Sequence, residues 1–552
     1  MKCAVVVVAL IACGPSSTKP GPTGKPDPEP PGDDPSLLAI LPKQAPIDTP
    51  RFASVVVCDR CHTPGPKAMR DSKGVDISPV TEIQAGMMSL AARDPYYLAA
   101  LRREIDANPG ARSAIEATCN RCHAPIGFAE SNGALTLDDL TSAKTPAASL
   151  GREGVGCAGC HGLEPDKLGE ESSFTGGQPL RGDRVSFGLL RQPLGEVMQQ
   201  MSKHTPKHSV HMASSRLCAS CHTVLVHRLD ATGQPIGDEI PEQATFLEWR
   251  ASAYVDGGPR AKTCQGCHMP TSEDELGEGA AIETPFATRP PDAPPRRGYR
   301  RHALRGGNAY LLRRLADHTA WLNAPTKPEL LRAAADATET FLTSSAELLI
   351  ESVSKKAIKV TVSNRAGHKL PTGYPTRRMW LHATVRDASG KTLAEWGGHR
   401  DGALVDNGKR IDGPGVITPH RTTLDGPGQV VIWEAVPVDA QGKRTHLLLG
   451  TASIVKDNRI LPIGWKKTHA DAARTKPIGV SDPDFVAGQD SIQIVLPAGA
   501  AKLELELLYQ PIPPETIESY DKQDSKEAAR FLAIVATPPA PAVLATKRVE
   551  IR

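Results

Sequence analysis

The sequence predicts an α+β multidomain chain: a mostly irregular and α-helical domain, followed by an antiparallel β-sandwich-like C-terminal domain. Three observations carry this. One five-residue word, Cys-x-x-Cys-His, is written five times between Cys58 and His268, with Gly- and Pro-punctuated segments between the copies. Helical start signals cluster around and after those copies. Beyond Leu349 the apolar residues switch to a period of two, the pattern of half-buried strands, and no cysteine occurs there.

The five words are Cys58 to His62, Cys119 to His123, Cys157 to His161, Cys218 to His222 and Cys264 to His268. Each is the attachment signal of a c-type haem. The thiols of Cys58, Cys61, Cys119, Cys122, Cys157, Cys160, Cys218, Cys221, Cys264 and Cys267 add across porphyrin vinyls. The imidazoles of His62, His123, His161, His222 and His268 ligate the irons from the proximal side. Zinc knuckles and redox dithiols also use Cys-x-x-Cys, but only 17 of 552 residues are His, and zinc leaves the invariable following His unexplained. Five haem c groups are therefore expected. They also account for an aromatic content of only 4%, since each haem is a large apolar disc.

In chain order, Met1-Lys2 and the apolar run Ala4 to Ala12 read as a lipoprotein signal peptide (1–12), too short to span a bilayer. Leu10-Ile11-Ala12-Cys13 fits a lipobox, which makes Cys13 the acylated residue and the membrane a partner through its lipid. Gly14, not Asp, follows, which favours the outer membrane. Residues 13–46 are a Pro/Gly-rich tether. Residues 47–322 form the haem domain. In it, Asp94-Pro95 opens a helix whose face is Leu98, Leu101 and Ile105, ending at Asn108-Pro109-Gly110, and a second helix from about Ala111 runs into Cys119. Residues 323–350 are a linking helix, with Thr326 to Glu329 as a capping box. Residues 351–552 are the sandwich, with strands around Ile358, Val430, Ile492 and Leu503.

The formal charge is +3. Propionates of five haems would bring it to about −2 oxidised and about −7 reduced, which argues against a nucleic-acid partner. Arg296, Arg297, Arg300, Arg301, Arg305, Arg313 and Arg314 are read as neutralising propionates or as a solvated basic face.

Several further stretches carry a family resemblance: Met87-Met88 with Ala91 to Pro95, Cys119 to Pro125, Glu153 to Cys157, Leu217 to Thr223, Pro241 to Gln243 with Leu247 to Trp249, Cys264 to Pro270, Gly306 to Asn308, and Gly367 to Arg378. Together they resemble exported multihaem cytochromes of the cytochrome c-552/c-554 type, over most of Cys58 to Arg378 and only weakly beyond. The resemblance implies closely packed haems that pass electrons along a chain, usually with two imidazoles per iron.

The distal candidates are His302, followed by glycines that let a ring approach the backbone; His211, with His208 and His204 as rivals; His368, in the loop Gly367 to Gly373; and Met88, standing where related proteins often hold a distal His. The expected function is electron transfer between redox partner proteins, either other cytochromes or a quinol-linked donor, as an exported outer-membrane lipoprotein on its periplasmic or cell-surface face. The alternative is an oxidoreductase acting on a small nitrogen or sulfur species at one open-coordinated haem. Pentahaem nitrite reductases typically carry a Cys-x-x-Cys-Lys word, and none occurs here. Under the electron-transfer reading no residue is assigned as catalytic.

Overall fold

The computed structural model describes residues 41–551. The expected signal peptide, Cys13 and all of the tether before residue 41 lie outside the described residues. Among the described residues no helix is long and apolar enough to cross a membrane. The chain combines helices with mainly antiparallel sheets, an α+β fold.

Helix Pro95–Ala107 begins where expected: the Asp94 carboxylate accepts from Tyr96 N at 2.9 Å, and Pro95 occupies the first turn, where its missing N–H costs nothing. Its buried face, Leu98, Leu101 and Ile105, belongs to one helical core with Leu311, Leu312 and Leu315 of helix Ala309–Asp317, which packs on Leu331 and Ala335 of helix Pro328–Thr343. That last helix lacks the expected capping box. Its N-cap is Lys327, whose side chain has no acceptor to offer, and Pro328 alone sets the start. Short two-stranded sheets interrupt the helices: Val185–Gly188 beside Thr205–His208, Val224–Leu229 beside Pro235–Gln243, and Glu283–Thr284 beside Arg296–Arg297.

The period-two runs form two sheets. One orders its strands Ser453–Asp457, Val431–Val438, Arg378–Arg386, Lys502–Gln510 and Ala542–Glu550, with Thr392–Trp396 also pairing with Arg378–Arg386. The other orders Thr423–Leu424, Gln489–Val495, Ala357–Asn364 and Ala346–Val353. Register places Leu503 opposite Val385, Leu507 opposite Leu381 and Ile492 opposite Val360, so apolar faces meet in one core with Trp433. Full burial of each such Leu or Ile side chain is worth about 1.5–3 kcal/mol.

Within residues 351–552, one segment packs elsewhere. Ile512, Tyr520, Phe531 and Ile534 join the helical core, where helix Lys526–Ile534 lies on Pro95–Ala107. Ala528, Phe531 and Ile534 recur at three-residue spacing, a helical stripe that pairs with a helix and not with a sheet. The loop between strands Ala357–Asn364 and Arg378–Arg386 carries His368 and reaches the last Cys-x-x-Cys-His word.

Candidate metal-ligating site

Each word lies in or beside a short helix: Val55–His62, Arg112–His123, Cys157–His161, Arg216–Ala219 and Cys264–His268. Four of the five motif imidazoles donate Nδ1–H to a backbone carbonyl: His62 to Phe286 at 3.0 Å, His123 to Ala91 at 3.2 Å, His161 to Phe187 at 2.6 Å and His268 to Arg305 at 2.7 Å. The fifth, His222, pairs with Gln243. A carbonyl can only accept, so these bonds put the proton on Nδ1 and leave Nε2 as a free base, the arrangement that orients a metal-ligating histidine. Burial pushes all five imidazoles below the ordinary range, His123 and His268 to about 4, so they are neutral at pH 7, as a ligand must be.

Two distal candidates face motif imidazoles. The rings of His161 and His302 have centroids 6.5 Å apart and planes 17° apart; those of His268 and His368 stand 6.5 Å and 13° apart. Two nitrogens each about 2 Å from one shared ion put their ring centroids about 6 Å apart, so both pairs fit a single metal between them. His302 donates Nδ1–H to Arg300 O at 2.9 Å and His368 to Lys369 O at 2.9 Å, again leaving Nε2 free. One segment serves both pairs. Residues 300–305 carry His302, receive the His268 proton at Arg305 O, and bind Pro270 O through Arg301 N at 2.9 Å. Of the two glycines after His302, a Cβ on Gly306 would meet nothing within 4 Å, and Gly307 serves a different approach from the expected one. A Cβ on Gly307 would lie 2.6 Å from the Tyr509 hydroxyl, so that position admits Tyr509.

Of the His204, His208 and His211 stretch, His211 is buried, with Nδ1 on Ser209 Oγ at 2.6 Å and an Nε2 that makes no well-formed hydrogen bond. It meets the edge of Phe187, whose carbonyl holds His161. His208 and His204 bind the carbonyls of Leu189 and Ser202 at 3.1 and 2.9 Å. The backbone of Met88 is held by Val155 N and Ala91 N, on the stretch whose Ala91 carbonyl orients His123. The ring of His123 itself stacks on Tyr97 at 3.8 Å and 4°.

The thiols form one connected cluster. Cys58 contacts Cys157, Cys122 contacts Cys221, Cys218 contacts Cys264, and Cys160 lies beside Cys221. The first word thus adjoins the third, the third the fourth, and the fourth both the second and the fifth. The basic segment is mostly engaged by protein carboxylates. Arg301 pairs with Glu82 and Glu275, Arg305 with Glu275, Arg313 with Asp336 and Glu339, Arg314 with Asp317, and Arg297 with Glu283. Arg300 instead grips the carbonyls of Gln265 and Met269 on either side of Cys267-His268.

His420, Asp482 and Asp490 also converge within 4.8 Å. Asn458, fixed by Ile432 O and Glu434 N, donates Nδ2–H to His420 Nδ1 at 3.0 Å, so Nε2 holds the proton and donates to Asp482. That nitrogen is not free for a metal.

The carbonyls that fix the histidine tautomers have no sequence signal, because any backbone position can supply such an acceptor. Nor does the sequence mark Glu248 and Asp457, which brace the His368 loop.

No family model and no curated protein matches this chain. Among solved structures it is similar to the penta-heme cytochrome c552 from Thermochromatium tepidum, with a TM-score of 0.49 and 18% identity over 90% of this chain and 98% of that one. A likeness of that degree says nothing of this chain's chemistry, which rests on its own residues.

Proposed function

We propose that the chain is a multihaem c-type cytochrome: each of the five words holds one haem c, and the protein carries electrons between redox partner proteins. The observation that carries the reading is the spacing of His161 with His302 and of His268 with His368, each ring held by an Nδ1 proton that leaves its Nε2 free. A bound haem supplies a one-electron iron couple.

The chain's own groups do the rest. The ten cysteines would tether the haems, the five motif imidazoles would each ligate one iron, and His302 and His368 would supply a second imidazole to the irons of His161 and His268. His211 is the next donor, through its buried Nε2. Contact between the words keeps the five sites adjacent, which favours transfer within the protein. Cys13 anchors the chain by lipid to the outer membrane, and no nucleic acid is bound. Pyridine haemochrome counting and low-temperature electron paramagnetic resonance on the purified oxidised protein test this: five haems, low spin at His161 and His268, are expected. A count below five, or high-spin iron throughout, overturns it. Release of Cys13→Ala protein from membranes tests the anchor.

A second reading, an oxidoreductase acting on a small nitrogen or sulfur species, draws on His123, whose ring neighbour is Tyr97 and not an imidazole. Cyanide or nitric oxide binding by one haem per chain would favour it.

A further inference from the structure

We propose that Glu248 is a positioning residue that aims His368 at the site it shares with His268; this rests on the reading above, in which His268 and His368 share one iron. Glu248 sits on helix Thr245–Arg250 and is 0% exposed. Its Oε2 accepts from Lys369 N at 3.1 Å and Thr372 Oγ1 at 2.5 Å, gripping the His368 loop on both sides of Leu370-Pro371. Its Oε1 faces Arg459 Nη1 at 3.4 Å. Arg459 binds Asp457 at 2.8 and 2.7 Å, and Asp457 binds Lys369 Nζ at 2.6 Å. Two carboxylates and two cations thus close a buried network with no net charge.

The backbone beside His368 has little freedom left. The His368 carbonyl accepts from Asn364 Nδ2 at 2.7 Å, the Lys369 N–H is on Glu248, and Leu370 exchanges backbone bonds with Ile460 at 3.0 and 2.9 Å. The imidazole then donates to Lys369 O, so its direction follows from that backbone. The same short helix also touches the other ligand's chain. Trp249 Nε1 donates to Lys262 O at 3.0 Å, two residues before Cys264, and a Cβ on Gly367 would meet the Trp249 ring at 3.3 Å. Helix Thr245–Arg250 thereby touches both segments, Glu248 through the His368 loop and Trp249 through both that loop at Gly367 and the chain before Cys264. Loss of Glu248 releases the distal loop while leaving the proximal word in place.

The test uses the full-length holoprotein, with haem content checked for each variant. Glu248→Ala is expected to convert one haem per chain from low to high spin and to add one carbon monoxide per chain to the reduced protein. Glu248→Gln, which keeps an acceptor for Lys369 N and Thr372, is expected to retain the wild-type spin state. His368→Ala is the reference for an opened site. If His368→Ala opens a haem and Glu248→Ala does not, the positioning role is overturned. If neither does, it is the assignment of His368 as a ligand that fails. Should Glu248→Ala not mature, Thr372→Val removes the bond to Glu248 together with the hydroxyl bond to Thr245, and Thr245→Val removes the second alone; a cyanide-binding rate in Thr372→Val no faster than in Thr245→Val overturns the proposal, whereas a several-fold faster rate supports it.

Discussion

The Lys369 ammonium donates to Asp457 Oδ2 at 2.6 Å, with both side chains buried. Burial alone would raise the Asp457 carboxyl, but Arg459 and Lys369 beside it hold it below the ordinary carboxylate range. A depressed folded-state value adds stability above the unfolded value of about 4 and loses it as pH falls through that region toward the folded value. Asp457→Asn leaves two buried cations short of a partner and should lower stability at pH 7 by about 3–5 kcal/mol. Denaturant midpoints of wild type and variant at pH 7 and pH 3 check this. The gap should narrow at the lower pH, and an unchanged gap would mean that the charge is not the source.

The 6.5 Å separation of the His161 and His302 rings makes a separate prediction. His302→Ala removes one donor while His161, held by Phe187 O, stays in place. The reduced variant should bind one carbon monoxide per chain beyond wild type, with haem count unchanged. His208→Ala should leave carbon monoxide stoichiometry as it is, because its imidazole is exposed where those of His302 and His368 are part-buried. Equal stoichiometry in His302→Ala and wild type would remove His302 from the ligand set.

What was legible in the sequence was local. Five words of fixed spacing picked out five imidazoles that prove to be buried, Asp94-Pro95 set a helix start to the residue, and alternation at Leu503, Leu505 and Leu507 gave a strand that pairs on both sides. What failed to show was relation across the chain. Nothing near His302 says that it faces His161 and not another motif imidazole, and among three histidines within eight residues the sequence favours His211 without showing that, though His204 is buried as well, it is His211 whose buried Nε2 makes no well-formed hydrogen bond. Helix Lys526–Ile534 went unseen inside a region read by period two, because its apolar stripe is only three residues and its partner helix lies more than four hundred residues earlier. Glu248 stood in a quoted stretch, yet its task depends on Lys369 and Arg459, which only folding brings to it.

Gly127, just after the second word, tests close packing by that segment. Helix Pro125–Glu130 crosses helix Pro146–Gly151 so tightly that a Cβ on Gly127 would fall inside van der Waals contact with Ala147 O and the Gly151 backbone. Neither obstacle is a flexible side-chain end, so the helices must separate. Gly127→Ala should cost about 1–3 kcal/mol or more, read as a lowered thermal midpoint at unchanged haem content. Gly74→Ala is the contrasting case. A Cβ there meets nothing within 4 Å, so any cost comes from its positive φ of 80° alone.

Asp490 gives a pH effect of the opposite sign. Burial raises its carboxyl to about 7, against a Trp433 Nε1–H donated to Oδ2 at 2.7 Å, and Oδ1 has no partner. A raised folded-state value means that the unfolded chain ionises first. Folding is therefore penalised progressively as pH climbs from about 4 to about 7, and the penalty is complete above that. Asp490→Asn removes the ionisation, keeps an acceptor for Trp433 and adds N–H donors to a site facing the Asp482 carboxylate. The variant should be more stable than wild type at pH 8 by a few kcal/mol, on the order of what a shift of this size implies, and nearly equal to it at pH 4. Thermal midpoints at the two pH values decide it: a variant that is less stable than wild type at pH 8 would show that Asp490 is charged and compensated in the folded protein.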